Sequence, residues 1–370
     1  MIVIGAGPAG LSAGIGLIRA GFHVTVLEQT PVVKSRVCGA FLNPEAVRHL
    51  EWIGVGEQAQ AEGIPVRFCR LTAPFMSESV VPIWQNGREG LGLPRVRLEE
   101  ILRNKFIEGG GEIETGMKVK SVTINGPAWL IRTVDRNFPA DWTVAADGRF
   151  SLAHIDTHTM NHDGWYGWNA TFSGARQNPG DLSLHFYPGG YVGTLTYRDG
   201  QTNVCGLIHR DRTDPIGSWE KIFDEALERQ PYLKELLRSS RRESDWRGVG
   251  PLPHTMGLRK AEDFALAGDA AAVGDPFMGE GIGRALGSGP MLAHAIALTG
   301  GISSFEGEKA KMIYEDLWKK YYTSRLRLGA FTRAVLRRPW LFRPAISFLL
   351  KFKAPFVYMH YSHAGWNYEH

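Results

Sequence analysis

The first 28 residues constrain this chain more than any other stretch. Met1 to Ile4 is a short apolar run leading into Gly5-Ala6-Gly7-Pro8-Ala9-Gly10, and Leu11, Ile15 and Ile18 continue at helical spacing to a stop at Gly21. A second apolar run, Val24 to Leu27, ends on Glu28. The pattern predicts a strand, a Gly-x-Gly-x-x-Gly turn, a helix and a second strand, with an acidic residue 18 positions after the last glycine. That is the arrangement in which a chain can hold a dinucleotide. Gly5 permits the tight turn, Gly7 lets the backbone approach a pyrophosphate, and Gly10 lets the helix lie close to the sheet. The helix start offers unpaired N–H groups and partial positive charge, and Glu28 is placed to accept from ribose hydroxyls. Only four residues precede Gly5, fewer than the about 5–6 of a typical strand, so a start slightly upstream is expected.

Composition removes several alternatives. The chain has 370 residues, 44% of them hydrophobic, with 44 Gly and 3 Cys, which excludes a disordered polymer, a disulfide scaffold and a collagen-like repeat. At this length two joined domains are expected. The net charge of +4 conceals a basic segment: Lys309 to Lys353 holds 12 Lys+Arg against 2 Asp+Glu. Its partner is therefore expected to be a local anionic surface, with no nucleic-acid recognition motif anywhere. Cys38, Cys69 and Cys205 form no CxxC pair and no metal-ligand cluster, so no metal is expected and a reducing, cytoplasmic compartment is. No targeting peptide and no run of about 18 apolar residues is visible, so the protein is expected to be soluble or peripheral to a membrane.

Three later segments narrow the dinucleotide. Leu93-Pro94-Arg95-Val96-Arg97-Leu98 precedes a helix with Leu98, Ile101, Leu102 and Phe106 on one face. Trp142 to Ala146 is a strand ending in Asp147-Gly148-Arg149-Phe150-Ser151. Phe264 to Ala267 is a strand ending in Gly268-Asp269-Ala270-Ala271, followed by Asp275-Pro276-Phe277-Met278-Gly279-Glu280-Gly281-Ile282 and a helix. Together with the N-terminal motif these segments resemble the FAD-dependent oxidoreductases of the glutathione-reductase-like, two-domain type that includes aromatic hydroxylases and geranylgeranyl reductases. The resemblance runs over most of residues 1 to 300. It implies an α/β fold: a Rossmann-like FAD-binding domain (1–70, 95–151 and 256–300), an inserted antiparallel β-sheet substrate domain (71–94 and 152–255), and a helical C-terminal arm (301–370).

The resemblance also implies which residues hold FAD. Asp269 would bind the ribityl chain, Asp147 and Gly148 lie near the pyrophosphate, and Arg95 packs by the phosphate and ribityl region. Further contacts fall to Pro8, Ala9, Gln29, Val119, Gly268, Pro276, Gly279, Glu280, Gly281 and Ile282. Physics agrees for the helix that opens near Gly281, since its N-terminus suits the anionic pyrimidine edge of reduced flavin. Within the family, Gly268 to Ala271, Gly279 to Ile282 and Val37-Cys38-Gly39-Ala40 look like the geranylgeranyl-reductase-like branch, whose Cys-Gly often faces the flavin. Ala272 stands where aromatic hydroxylases carry His. Against that branch, Gly193, Leu195 and Thr196 replace the Trp, Phe and Pro of the segment that shapes the isoprenoid pocket. Cys38 is thus either a flavin-facing thiol or a small buried hydrophobe.

Residues 152 to 255 alternate apolar and polar over short runs, which predicts an antiparallel sheet. Trp165, Tyr166, Trp168, Phe186, Tyr187 and Tyr191 either wall a pocket or form plain core. His185 and Tyr187 share one sheet face and are candidate proton donors, with a structural role as the alternative. In the arm, Phe331, Val335, Trp340, Leu341, Phe342, Ile346, Phe348 and Phe352 are interleaved with basic residues, and Pro339 and Pro344 are expected to break the run into short helices. The arm reads either as an interfacial segment on anionic lipid or as a helix capping the core. No second Gly-x-Gly-x-x-Gly exists, so NAD(P)H is expected to dock transiently or to be replaced by a redox partner. Three activities fit: reduction of a carbon–carbon double bond in a small lipophilic isoprenoid, quinone-like or polyketide-like substrate, monooxygenation of an aromatic or polyketide one, or electron transfer to a membrane quinone.

Overall fold

The computed structural model describes residues 1–351 apart from 86, 126–127, 150, 152–163, 213–217, 260, 262–263 and 302–304. Phe150, Phe352 and Lys353 lie outside the described residues. Nine helices are present among those described: α1 (Pro8–Arg19), α2 (Pro44–Ile53), α3 (Gly56–Glu62), α4 (Arg95–Glu108), α5 (Trp219–Arg229), α6 (Pro231–Leu236), α7 (Gly281–Leu298), α8 (Gly307–Arg337) and α9 (Pro339–Lys351).

A five-stranded parallel sheet forms the centre, in the order β20 (Ala265–Leu266), β13 (Thr143–Ala145), β1 (Ile2–Ile4), β2 (Thr25–Glu28) and β9 (Glu112–Thr115). Chain order reverses between β1 and β13, and a doubly wound sheet opens its ligand crevice at such a point. Apart from the edge strand β9, the strands are short and almost wholly buried, as parallel strands covered on both faces must be. Helices α1 and α7 approach each other closely at Gly16, Ser12 and Gly289. A Cβ at Gly16 would meet the Gly289 carbonyl oxygen at 2.3 Å, and the Gly289 amide donates to Ser12 Oγ at 3.3 Å. This contact is what joins the first motif to the last.

Between β9 and β13 the chain inserts a small antiparallel sheet, β10 (Ser121–Asn125), β11 (Ala128–Arg132) and β12 (Asn137–Ala140), over a core of Ile2, Ile4, Leu27, Val119 and Trp129. The sequence reading did not anticipate it. The large sheet runs β18 (Arg241–Arg242), β14 (Trp165–Ser173), β17 (Thr202–His209), β16 (Gly190–Thr196), β15 (Leu182–Tyr187), β5 (Phe68–Ala73) and β6 (Met76–Pro82), with β19 (Arg247–Val249) also pairing β14. It is antiparallel except at one seam, where β15 pairs β5 in parallel. The earlier segment thus joins the later one side by side, and β5 runs across the expected boundary at residue 70. A fourth sheet of β3 (Phe41–Leu42), β4 (Ile64–Val66), β7 (Trp84–Gln85) and β8 (Arg88–Gly92) links the two halves.

The alternation within the large sheet decides what each face meets. Trp165, Phe186, Tyr191, Leu195 and Leu207 share a cluster with Phe277, Leu336 and Phe342, on the side of the parallel sheet's loops. Trp168, Tyr187, Val192 and Ile208 pack under α5 and α6 on the other side.

The C-terminal arm differs from its expected form. Tyr314, Trp318, Tyr322 and Leu326 of α8 are buried in the central core, and the Tyr314 hydroxyl donates to the Leu266 carbonyl at 2.8 Å. Pro339 opens α9, a position that a missing N–H suits, but Pro344 lies inside it without ending it. Burial of Phe342 and Ile346 on either side of Pro344 compensates for the lost backbone bond. No helix among the described residues is long and apolar enough to cross a membrane.

Candidate functional site: a dinucleotide groove and an adjoining cleft

The Gly-rich turn gathers residues from all three segments. The left-handed backbone of Gly5 (φ 101°) brings its would-be Cβ within 3.1 Å of the Asp147 Cα, and a Cβ at Gly10 would fall 1.8 Å from the Gly5 carbonyl oxygen. A Cβ at Gly268 would fall 2.5 Å from that of Ala9. The Ala6 amide donates to Glu28 Oε2 at 2.8 Å, while the Thr30 amide and hydroxyl donate to Oε1 at 2.9 and 2.7 Å. Glu28 is thereby fixed in place, with a further lone pair on Oε2 for a ribose hydroxyl.

Gly7 behaves differently from its two partners. It is the N-cap of α1, no side chain caps that end, its first turn holds no acidic residue, and a Cβ there would meet nothing within 4 Å. Gly148 and Gly281 likewise face open space. An uncapped helix start beside vacant space left by glycines is the cradle a pyrophosphate needs, so these residues fit FAD.

Asp269 lies behind the same groove, 3.5 Å from Arg284 Nη2. Arg259, 2% exposed, donates through Nη1 to the carbonyls of Arg149 (3.2 Å) and Asp269 (3.3 Å), which ties the Asp147 turn to the Asp269 turn. The sequence reading missed Arg259 because no local pattern marks it. Between Asp269 and α7, Asp275 Oδ1 accepts from the Phe277 amide at 2.9 Å, and Gly279 takes a left-handed backbone (φ 62°). Pro276 is exposed and Ile282 is buried in the central core.

Two arginines of α8 hold this loop from behind. Arg333 stands 3.6 Å from Asp275 and donates to the Leu252 carbonyl at 3.0 Å. Arg325 pairs with Glu45 of α2 and lies 3.8 Å from Glu280. All four of Glu45, Asp275, Glu280 and Arg325 are buried. Burial pushes the Glu280 acid up to about 7; Arg325 opposes this and Glu45 adds to it. His49, in the same group, is driven down to about 4 by burial. The sequence marked Glu280 as a flavin contact and Asp275 as part of the same motif, but nothing in it marked Glu45, His49 or Arg325 as their partners, since Glu45 and Arg325 lie 280 residues apart.

The loop Cys38-Gly39-Ala40 closes the other side. Ala40 adopts φ 56°, a conformation that non-glycine residues seldom hold and that is concentrated at functional sites. Cys38 Sγ accepts from the Ala40 amide at 3.3 Å, and the Cys38 carbonyl accepts from Asn203 Nδ2 at 3.0 Å. A Cβ at Gly39 would sit 3.5 Å from Cys205 Sγ. Burial, with Cys38 nearby, pushes the Cys205 thiol up to about 12. Cys38 is half-buried and lines a cleft of about 430 Å³ between this loop, the start of α4 and the β14–β17 face. At Gly193, a Cβ would sit 3.2 Å from Cys205 Sγ and 3.4 Å from Leu184, so the space a tryptophan would need is filled.

Several expected site residues stand elsewhere. His185 and Tyr187 do share a face, but it is the face under α5 and α6, away from the groove. His185 is fully buried, its Nδ1 2.8 Å from the Thr72 hydroxyl, and burial lowers its pKa to about 3, so it stays neutral. Tyr187 is buried among Trp168, Val192 and Ile208, and burial raises its hydroxyl well above the usual range. Both side chains thus pack on the face away from the groove. Of the aromatic set, Trp165, Phe186 and Tyr191 face the groove side, with Phe277 at 5.3 Å from Phe186 and 5.6 Å from Tyr191, while Trp168 and Tyr187 do not. Val119 presents its side chain to the small core instead of the groove, and Gln29 is exposed beside Glu28. Arg95 lines the cleft and is ion-paired with Glu99 at 2.7 Å.

Residues 1–301 match the family described as FAD binding domain. The chain is 24% identical over 354 residues to a menaquinone reductase of Mycolicibacterium smegmatis, covering 88% of this chain and 82% of that one. Its fold is similar to that of the myxobacterial chondrochloren halogenase, an FAD-dependent halogenase, with TM-score 0.78 and 17% identity, over 91% of this chain and 82% of that one. It is similar again to that of a geranylgeranyl bacteriochlorophyll reductase-like protein from Thermoplasma acidophilum, with TM-score 0.77 and 18% identity, over 95% and 90%.

Proposed function

The chain belongs to the FAD binding domain family, and on that premise we propose that it uses reduced FAD to saturate a carbon–carbon double bond in a lipophilic isoprenoid or quinone-like substrate. When bound, FAD supplies a two-electron carrier whose reduced form delivers hydride. The chain's own residues bind and orient. The open end of α1 at Gly7 to Gly10 would take the pyrophosphate, Glu28 the adenosine ribose and Asp269 the ribityl chain. The start of α7, which has neither a capping side chain nor an acidic first turn, would favour negative charge at the ring. Arg325 and Arg333 hold the loop Asp275 to Gly281 rigid, and the aromatic group Phe186, Tyr191 and Phe277 keeps that side dry.

The observation that carries this reading is the length of the likeness to the menaquinone reductase, which extends through most of both the groove-bearing and the sheet-bearing parts. With His185 and Tyr187 set apart from the groove, the proton that completes the reduction comes from solvent through the cleft. NAD(P)H docks transiently to recharge the flavin. The exposed side of α8 and α9, which carries Phe331, Trp340 and Phe348, meets an anionic membrane surface from which such a substrate is drawn.

The test is turnover without oxygen. Chemically reduced, flavin-loaded protein is incubated anaerobically with a menaquinone, and products are weighed by mass spectrometry. After the ring is reoxidised in air, a quinone with two added hydrogens in its side chain is expected; recovery of unchanged menaquinone would mean that only the ring was reduced. A product that forms only in air and contains a new oxygen atom would replace this reading with monooxygenation.

A further inference from the structure

We propose that the cleft beside the dinucleotide groove binds a phosphate-bearing organic anion, with Arg36 and Arg247 as its phosphate ligands and Asn169 at its floor. The cleft contains none of the groove residues 5–10, 147, 269 or 275–282; it adjoins the groove through Cys38 and Arg95, which line it. Its volume of about 430 Å³ lies within the range of small-molecule sites.

Its charge is one-sided. Arg36, Arg95, Arg97, Arg198 and Arg247 line it, against the carboxylates of Glu62 and Asp199. Three of the five arginines have protein partners: Arg95 pairs with Glu99, Arg97 with Glu62 and Glu100, and Arg198 donates to the Gly63 carbonyl at 2.7 Å. Arg36 and Arg247 make no ion pair among the described residues, and both guanidinium groups are therefore available to a ligand. Arg95 and Arg97 also stand in the first turn of α4, a 14-residue helix with no capping side chain and no acid in that turn. Guanidinium groups around an open helix start favour phosphate over carboxylate, because phosphate offers more charge and more acceptor oxygens to planar donors.

The floor asks for something more than an ion. Asn169 is 5% exposed and lines the cleft, and its Nδ2 donates to Asn203 Oδ1 at 3.2 Å. Its own Oδ1 is buried with no partner among the described residues. A buried acceptor left unpaired is costly, so the ligand carries a hydroxyl or amide donor some distance from its phosphate. Both a nicotinamide dinucleotide and a prenyl diphosphate carry the phosphate; only the first also carries the donor.

The test uses FAD-loaded protein, titrated calorimetrically with NADPH, NADH, geranylgeranyl diphosphate and inorganic pyrophosphate. At least one phosphate-bearing probe is expected to bind, more weakly as salt rises, with R36Q and R247Q each weakening it roughly tenfold at unchanged flavin content. N169A should weaken a dinucleotide and leave pyrophosphate unaffected. Flavin bleaching on binding assigns the site to the electron donor, and prenyl diphosphate binding with an unchanged flavin spectrum assigns it to the substrate. Failure of all four probes to bind, or equal affinity in the R36Q/R247Q double variant, overturns the proposal. The proposal does not fall with the flavin reading: colourless protein would sink that reading alone, since pyrophosphate titration of the cleft requires no flavin.

Discussion

Gly7 and Gly10 belong to one motif yet do opposite work, and the difference is measurable. At Gly10 an added methyl overlaps the Gly5 carbonyl, so G10A must move the helix off the strand. At Gly7 the methyl enters the vacant space in front of α1 and touches nothing in the protein. G7A is therefore expected to keep its melting temperature within a degree or two of wild type while losing most of its visible flavin absorbance per chain, whereas G10A should lose both. Equal flavin content in G7A and wild type would mean that the pyrophosphate lies elsewhere. The roles of these glycines were readable from spacing because a turn of this kind is a local property of the backbone. The orientation of His185 and Tyr187 was readable only as far as their sharing a face. Which face it is depends on strands and helices distant in sequence.

At the scale of elements, α8 shows how charge patterning misleads when burial is unknown. Its basic residues suggested a solvated or lipid-facing arm, yet Arg325 and Arg333 are buried counter-ions for Glu45, Glu280 and Asp275. This arrangement has a pH signature. Burial first of all raises the Glu280 acid to about 7 from the 4.5 of a free glutamate, so between these values the folded protein retains a proton that the unfolded chain releases. Stability therefore falls as pH rises through that window, and the full cost is present above it. E280Q, which cannot ionise, should gain stability relative to wild type as pH goes from about 5 to about 8, by about 1–3 kcal/mol. Paired thermal melts across this range check it; a difference that does not change with pH would show that Glu280 does not titrate there.

For the whole molecule, the arm divides between two surroundings. Leu336, Phe342 and Ile346 complete the core beneath the large sheet, while Phe331, Trp340 and Phe348 are 67%, 73% and 54% exposed, near Arg337, Arg338 and Arg343 in sequence. The core-capping reading describes the buried part of the arm. If the exposed part meets lipid, wild type should co-sediment with vesicles rich in anionic phospholipid, and F331S/W340S should bind at least tenfold more weakly, since each aromatic ring contributes about 2 kcal/mol when removed from water. Unchanged sedimentation of the variant would remove the membrane from this account.

The amino-acid sequence by itself determined the dinucleotide-binding unit, the family, and the strands and helices that carry Gly5, Glu28, Asp147 and Asp269, because turn geometry and periodicity are written in neighbouring residues. Only the tertiary structure decided the parallel seam between β5 and β15, the face on which each aromatic lies, the pairing of Arg325 with Glu45 and Glu280, and the unpaired Asn169 Oδ1 in a cleft lined by five arginines. Those facts depend on which distant segments share a buried space, and burial sets the energy of a charge or a polar atom far more than its neighbours along the chain do.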